Sequence, residues 1–139
     1  MIDNTMELTH EQSRILLVRE LMMRVPYGVK LEHKPSGVII TPSHFHIHPL
    51  YDGNTIKDYI CDIDVFGDDD MRDIDEFRMY LVPLSSLTNE QICEYNSAKL
   101  LDVLVDFCNK NHIDHNHLID NGLADDGVKF NIYWQRYRS

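Results

Sequence analysis

The chain has 139 residues, of which 43% are hydrophobic and 26% are charged, and its formal net charge is −10. These totals are typical of one globular domain with a buried core, so disorder over the whole length is not expected. The acidic charge argues against direct binding to nucleic acid and against adsorption to anionic lipid, because both need a surface of Lys and Arg. We therefore predict a single domain over residues 1–139, with neither nucleic acid nor membrane as a partner.

The N-terminus and the cysteines indicate a cytoplasmic protein. The opening segment "MIDNTMELTHEQ" is acidic and polar, unlike a secretory signal, and no apolar run is long enough to span a bilayer. Cys61, Cys93 and Cys108 form no paired motif, so reduced thiols are expected. Cys93 and Cys108 fall on the apolar side of a predicted helix, where we expect inert core residues.

The first predicted element is a helix from Leu8 to Arg24. Thr9 followed three residues later by Gln12 is typical of a capping box, and Pro26 ends the helix. The helical period places Glu20 and Arg24 mainly outside the apolar stripe.

The next segment reads as β structure. Residues 27–34 alternate, "PSG" at 35–37 has turn chemistry and "VIIT" resumes the strand, so a hairpin is predicted. The segment "SHFHIH" is expected to continue as an edge strand or after a break, because prolines bracket it. After the turn signal "DGN" at 52–54, residues 55–66 are predicted as a strand with Tyr59, Cys61, Ile63 and Val65 on one face.

The second half begins with a second capping box, Thr88 with Gln91, and predicts one long helix to about Asn109. Asp114 is expected to cap a short helix that ends at Gly122, and "VKFNIYW" at 128–134 to form a last strand. The side chains expected on the buried face of the long helix are Cys93, Ser97, Leu100, Leu101, Leu104, Phe107 and Cys108.

This order of elements predicts the α+β class. We expect a small, mostly antiparallel sheet with an N-terminal helix, a long helix in the C-terminal half and a short third helix packed on it.

Three segments, "RVPYGVKL", "YLVPLSSLTNEQ" and "NKNHIDHNHLIDNGLA", resemble a family of small uncharacterised proteins from gut bacteria and their phages or other mobile elements. The resemblance covers most of the chain and implies a common fold and a mobile-element setting. It supplies no activity and no functional residues. Each segment also has a structural interpretation as a helix stop, a helix entry or a capped turn.

The acidic stretch "DIDVFGDDDMRDIDE" at 62–76 is the first candidate site. An EF-hand interpretation fails, because Phe66 stands where the loop needs an oxygen ligand. A different calcium or magnesium site built on these carboxylates, or a plain solvated loop, remain alternatives. The functional interpretation that we pursue beside the solvated loop is a recognition surface for a protein partner with a basic surface. The residues predicted to contact it are Asp68, Asp69, Asp70, Asp73 and Asp75.

The eight histidines form the second candidate. In a continuous strand His44, His46 and His48 leave one face, a spacing that suits a zinc site with an open position. An exposed polar edge and a pH-sensitive surface are the alternatives. His115 and His117 lie about 200° apart on a helix, so they are not expected to converge.

The leading hypothesis is a small acidic interaction protein that binds a macromolecular partner in a phage or mobile-element context. No catalytic motif is recognisable, so an enzyme and a cofactor are not favoured, and Ser85 and Ser86 read as turn residues. The alternative is a zinc- or calcium-binding protein that uses His44, His46 and His48. A hydrolase is one form that this alternative takes. A structural subunit of a larger assembly is the third hypothesis.

Overall fold

The computed structural model describes residues 8–67, 71–98 and 100–133. In these ranges it contains helices and small sheets, which confirms the α+β class. Three helices, α1 to α3, span His10–Arg24, Asn89–Ser97 and Leu101–Lys110. The strands β1 to β7 span Leu31–His33, Val38–Ile40, Phe45–Asp52, Thr55–Asp64, Met71–Asp73, Phe77–Leu81 and Ala124–Asp126. No helix within the described ranges is long and apolar enough to cross a membrane.

The described residues divide into two compact units, one ending at Met79 and the other beginning at Tyr80. This division does not test the single-domain prediction, which stays a prediction. In the first unit β1 pairs antiparallel with β2 and with β6, and a second sheet has the order β3-β4-β5. The predicted hairpin over 27–40 is therefore confirmed, and so is the turn at 52–54 between β3 and β4.

The core of the first unit lies along α1 and the strands. Val18 and Leu21 of α1 are fully buried, as are Cys61 and Ile63 on the predicted inner face of β4. Each large apolar side chain buried in this way stabilises the fold by about 1.5–3 kcal/mol. The α1 capping box is present as predicted, with the Gln12 amide N–H donating to the Thr9 hydroxyl at 3.1 Å.

The charged pair in α1 corrects the sequence interpretation. Glu20 and Arg24 were expected on the polar side, yet both are fully buried. Arg24 Nε donates to Glu20 Oε2 at 2.8 Å, one helical turn away. Residues four apart face each other on a helix, so each charge enters the interior with its counter-charge beside it.

The second unit contains the last residues of β6, together with β7, α2 and α3. Its core is formed by Val82, Leu87, Cys108 and Ile113, and the partly buried side chains packed against it include Ile92, Tyr95, Leu104 and Phe107. The predicted long helix is present as two helices separated around residues 98–100. In one continuous helix, Phe107 would point about 120° away from Tyr95, at roughly 100° per residue. The break lets both helices face the same core.

Two further kinds of expectation for this unit were wrong, the buried face of the long helix and the short helix after it. Cys93, Ser97, Leu100 and Leu101, expected on the buried face, are exposed. α2 packs on the core through Ile92 and Tyr95 instead, and the break before Leu101 turns α3 to a different face. The segment 114–122 is a series of turns, since His117 has a left-handed φ of 57° that ends a helix.

The predicted last strand is replaced by turns over residues 128–133. Asp126 accepts hydrogen bonds from the amides of Val128 and Lys129, at 3.0 and 2.9 Å, which bends the chain after β7. Phe130, within this segment, is 51% exposed. Trp134 lies outside the described residues.

Candidate functional site

Arg14 of α1 pairs with three carboxylates, two of which, Asp73 and Asp75, belong to the acidic stretch. Its Nη1 lies 2.8 Å from Asp73 Oδ2 and 2.8 Å from Asp75 Oδ1, and its Nε lies 3.2 Å from Asp58 Oδ1. The remaining nitrogen, Nη2, donates to the carbonyl of Tyr59 at 2.9 Å. Only 11% of the Arg14 side chain is exposed. The single charge of the guanidinium is therefore shared among three carboxylates, and Nη2 also caps a carbonyl at the edge of β4.

The electrostatics of this cluster follow from that geometry. The hydrogen bonds that Arg14 donates to Asp73, opposed by desolvation, raise the pKa of Arg14 above its already high value. Burial acts to raise the pKa of Asp73. The hydrogen bond from Arg14, the hydrogen bond from the Asp75 amide and the charge of Arg14 together outweigh burial and hold that pKa below its usual range. Nearby, burial and then the Asp73 charge raise the pKa of the Cys61 thiol to about 12. Cys61 is therefore an inert thiol.

The predicted contact residues fall into two groups. Asp73 and Asp75 are partly exposed but belong to the Arg14 cluster, so part of their charge is satisfied within the fold. Asp68, Asp69 and Asp70 lie outside the described residues. The recognition surface at these five residues stays a prediction.

The histidines of β3 leave one face of the strand, as the alternation predicts. His44, His46 and His48 are all exposed. The ring centroids are 5.7 Å apart for His44 and His46, and 6.5 Å apart for His46 and His48. Among the described residues no group of three His, Cys, Asp or Glu side chains is arranged to hold a metal ion. A zinc site here stays a prediction.

The histidines of the second unit have separate neighbours. His117 Nδ1 lies 3.5 Å from Asp120 Oδ2, whereas the His112 ring stacks on Tyr133 at 4.8 Å. Asp114, which is buried, accepts hydrogen bonds from the amides of residues 118 and 119 at 2.7 and 2.9 Å, which fixes this loop. A cavity of about 250 Å³ beside the loop is lined by Pro83, Leu84, Ser85, Asp114, His117, Ile119 and Asp120.

β3 is an edge strand, as the sequence indicated. Among the described strands its one neighbour is β4, and Pro49 lies within it. Asp64 N donates to the carbonyl of His44, and residues 45 and 63 are the next pair in the register. In an antiparallel ladder hydrogen-bonded and non-bonded pairs alternate, so even-numbered residues of β3 bond to β4 and odd-numbered ones face the open edge. The missing N–H of Pro49 therefore falls on the open side.

A groove of about 460 Å³ lies along this strand. The C-terminal end of α1 and the residues after it form one wall, and β3 forms the other. The lining residues are Met22, Val25, Pro26, Phe45, His46, Ile47 and His48.

A hydrogen-bonded chain of three side chains lies at the first hairpin. His33, only 3% exposed, contacts Ser36 Oγ through Nδ1 at 2.7 Å and Glu76 Oε1 through Nε2 at 2.9 Å. The rings of Phe66 and Phe77 pack on the imidazole, with centroids at 6.2 and 5.3 Å. The sequence reasoning did not find this chain, because Glu76 is 43 residues from His33.

No family model, curated protein or solved structure matches this chain. The family resemblance carried by the three sequence segments therefore stays a prediction.

Proposed function

We propose that this protein is a binding protein that takes up an extended, basic segment of a partner protein along the open edge of β3. The observation that carries the proposal is the groove of about 460 Å³ that runs beside a strand with a free edge. An added strand gains main-chain hydrogen bonds, and pockets beside the edge take every second side chain. The phage or mobile-element context remains part of the proposal as the setting in which such a partner occurs.

The backbone of β3 supports strand addition. By the ladder argument, the N–H and C=O groups of Phe45 and Ile47 point away from β4. No hydrogen bond from the described residues reaches the amide of either one outside the strand pairing. An extended segment placed at this edge satisfies both peptide units without disturbing the β3–β4 hairpin.

The groove walls supply the place for side chains. Met22 of α1 is 40% exposed, although it is a large apolar residue, and Phe45 and Ile47 are half-buried at the opposite wall. Apolar side chains at alternate positions of the added segment cover this surface. Each Å² of apolar surface removed from water then stabilises the complex by about 25 cal/mol.

The charge of the chain favours a basic partner. Ten Asp or Glu residues lie between Asp52 and Glu76, against Lys57 and Arg72. Asp62 pairs in register with His46 of β3, one strand spacing from the open edge. Carboxylates so close to the edge attract Lys and Arg side chains and repel acidic segments. In this proposal Asp68, Asp69 and Asp70 contribute to the field that speeds encounter.

The experiment uses fluorescence anisotropy with two labelled heptapeptides that alternate Val with Lys or Val with Glu. We expect the Lys peptide to bind with a Kd on the order of 10–100 μM, since a short peptide loses much of its contact energy to ordering. We expect the Glu peptide to bind at least about ten-fold more weakly, and added salt to weaken the binding of the Lys peptide. Equal binding of both peptides, or binding of neither, contradicts the proposal.

Two matched variants locate the site. Met22→Lys places a charge in the groove, whereas Ile39→Lys places the same charge on β2, at a residue that is 45% exposed and does not line the groove. We expect Met22→Lys to lower the affinity at least about five-fold, because the charge loses hydration and repels Lys. We expect Ile39→Lys to leave the affinity for the Lys peptide within about two-fold of that of the unmodified protein. An equal effect of both variants rejects the groove as the site.

A further inference from the structure

The contacts of His33 fix its proton. A carboxylate can only accept, so the imidazole Nε2, 2.9 Å from Glu76 Oε1, is assigned the hydrogen. In the neutral ring Nδ1 is then the acceptor, and the Ser36 hydroxyl at 2.7 Å donates to it. The direction of both hydrogen bonds is that of a nucleophile, a base and an orienting carboxylate.

Ser36, His33 and Glu76 differ in their exposure to solvent, and the differences suit a nucleophile, its base and an orienting carboxylate. Ser36 is exposed on the hairpin turn, so a substrate can reach its oxygen. His33 is nearly fully buried, and the rings of Phe66 and Phe77 beside it hold the imidazole in place against Ser36. Glu76 is 35% exposed, with Arg72 Nη1 at 3.9 Å, and its charge is partly balanced.

The turn itself holds the oxygen against the base. The Gly37 amide donates to the carbonyl of His33 at 2.7 Å, which closes the turn around Ser36. The amide of Val38 lies 3.4 Å from Ser36 Oγ and favours negative charge on that oxygen. Val38 is 37% exposed and Phe66 is 50% exposed, and both offer apolar surface to a small acyl group.

We propose that Ser36 is a nucleophile toward small activated carboxylic esters, with His33 as its base and Glu76 as the positioning residue. Ser36 Oγ attacks the carbonyl carbon while its proton passes to His33 Nδ1. The C–O bond to the alcohol then breaks, and the alcohol leaves with that proton, which gives an acyl-Ser36. Water then attacks the acyl carbon and gives a proton to His33. The bond between that carbon and Ser36 Oγ breaks, and His33 returns the proton to Ser36 Oγ, which releases the acid and free Ser36. This activity is independent of the β3 groove.

The test treats the full chain with a fluorophosphonate, which forms a stable adduct with an activated serine, and follows hydrolysis of 4-nitrophenyl acetate. Intact mass and peptide mapping are expected to show one adduct, at Ser36. Ser36→Ala removes the adduct and lowers ester hydrolysis by about 10²-fold or more. The matched control Ser85→Ala, at another exposed serine in a turn, changes neither. Mapping on the unmodified sequence needs no variant, so it decides the matter even if Ser36→Ala folds poorly.

The role of Glu76 has its own readout. Glu76→Gln is expected to lower the labelling rate by about 10²-fold and to move the pH at which that rate is half-maximal, because the carboxylate no longer fixes the imidazole tautomer. A loss of folded protein alone leaves that midpoint in place. No adduct at Ser36, or equal labelling of Ser36→Ala, overturns the proposal.

Discussion

Arg14 and Asp73, which are 59 residues apart in the chain, form a two-point ion pair. Arg14 Nη1 donates to Asp73 Oδ2 at 2.8 Å and Nη2 contacts Asp73 Oδ1 at 3.3 Å. This pairing ties the start of α1 to the end of β5. It also gives part of the acidic stretch a structural role, in addition to any role in recognition.

The first prediction concerns the stability that Arg14 provides. Arg14→Ala leaves Asp58, Asp73 and Asp75 close together without their shared cation, and we expect a loss of about 2–4 kcal/mol in the free energy of unfolding. Arg19→Ala, the same change at an exposed position of the same helix, is expected to cost less than about 0.5 kcal/mol. Urea unfolding at pH 7 measures both. Equal losses would show that the cluster adds no specific stability.

The second prediction concerns acid sensitivity. The folded pKa of Asp73 lies below its unfolded value of about 3.9, so this carboxylate contributes stability above about pH 4. That contribution is lost as the pH falls through the lowered folded pKa. Between pH 7 and pH 2.5 the free energy of unfolding, measured by urea denaturation at each pH, should therefore decrease more steeply for the unmodified protein than for Arg14→Ala. Parallel curves would contradict the assignment.

The third prediction separates the three thiols. Cys93 is exposed, whereas Cys61 and Cys108 are buried, and burial raises the pKa of Cys61 to about 12. Iodoacetamide at pH 8 should add one group to the native protein, at Cys93, because the thiolate is the reactive form. Cys93→Ser should remain unmodified, and denatured protein should take three groups. Rapid modification of native Cys61 would contradict the structure.

The fourth prediction addresses the alternative function. His44, His46 and His48 share a face but have separate exposed rings, so we expect zinc and EDTA to leave the Tm unchanged. Native mass spectrometry is expected to find no retained metal. A stoichiometric zinc ion, with a rise in Tm that His46→Ala abolishes, would instead support the metal-dependent hypothesis.

Local chemistry explains which parts of the fold the sequence predicts. Both capping boxes are present, because each depends on residues three positions apart. For the segment of β3 an edge strand or a strand after a break was predicted, because prolines bracket it, and the structure has it at an edge among the described strands. The β-hairpin at 35–37 follows in the same way from its turn residues.

The features that the sequence did not predict depend on tertiary contacts, which no local pattern encodes. The burial of Glu20 depends on which face of α1 the strands cover, and the sequence of the helix alone does not determine that face. The partners of Arg14 are 44 to 61 residues away, and Glu76 is equally remote from His33. The break between α2 and α3 is set by the core that both helices share. Charges and histidines could be counted in the sequence, but their partners could not be assigned.

The most direct test of the binding function is amide hydrogen exchange along β3, measured by NMR with and without the Val–Lys heptapeptide. Phe45 and Ile47, whose amides face the open edge, should exchange rapidly in the free protein and slowly in the complex. His46 and His48, whose amides already bond to β4, should be protected in both. Alternate slowing of this kind is the result that strand addition predicts. Unchanged exchange at Phe45 and Ile47 in the presence of bound peptide would contradict it.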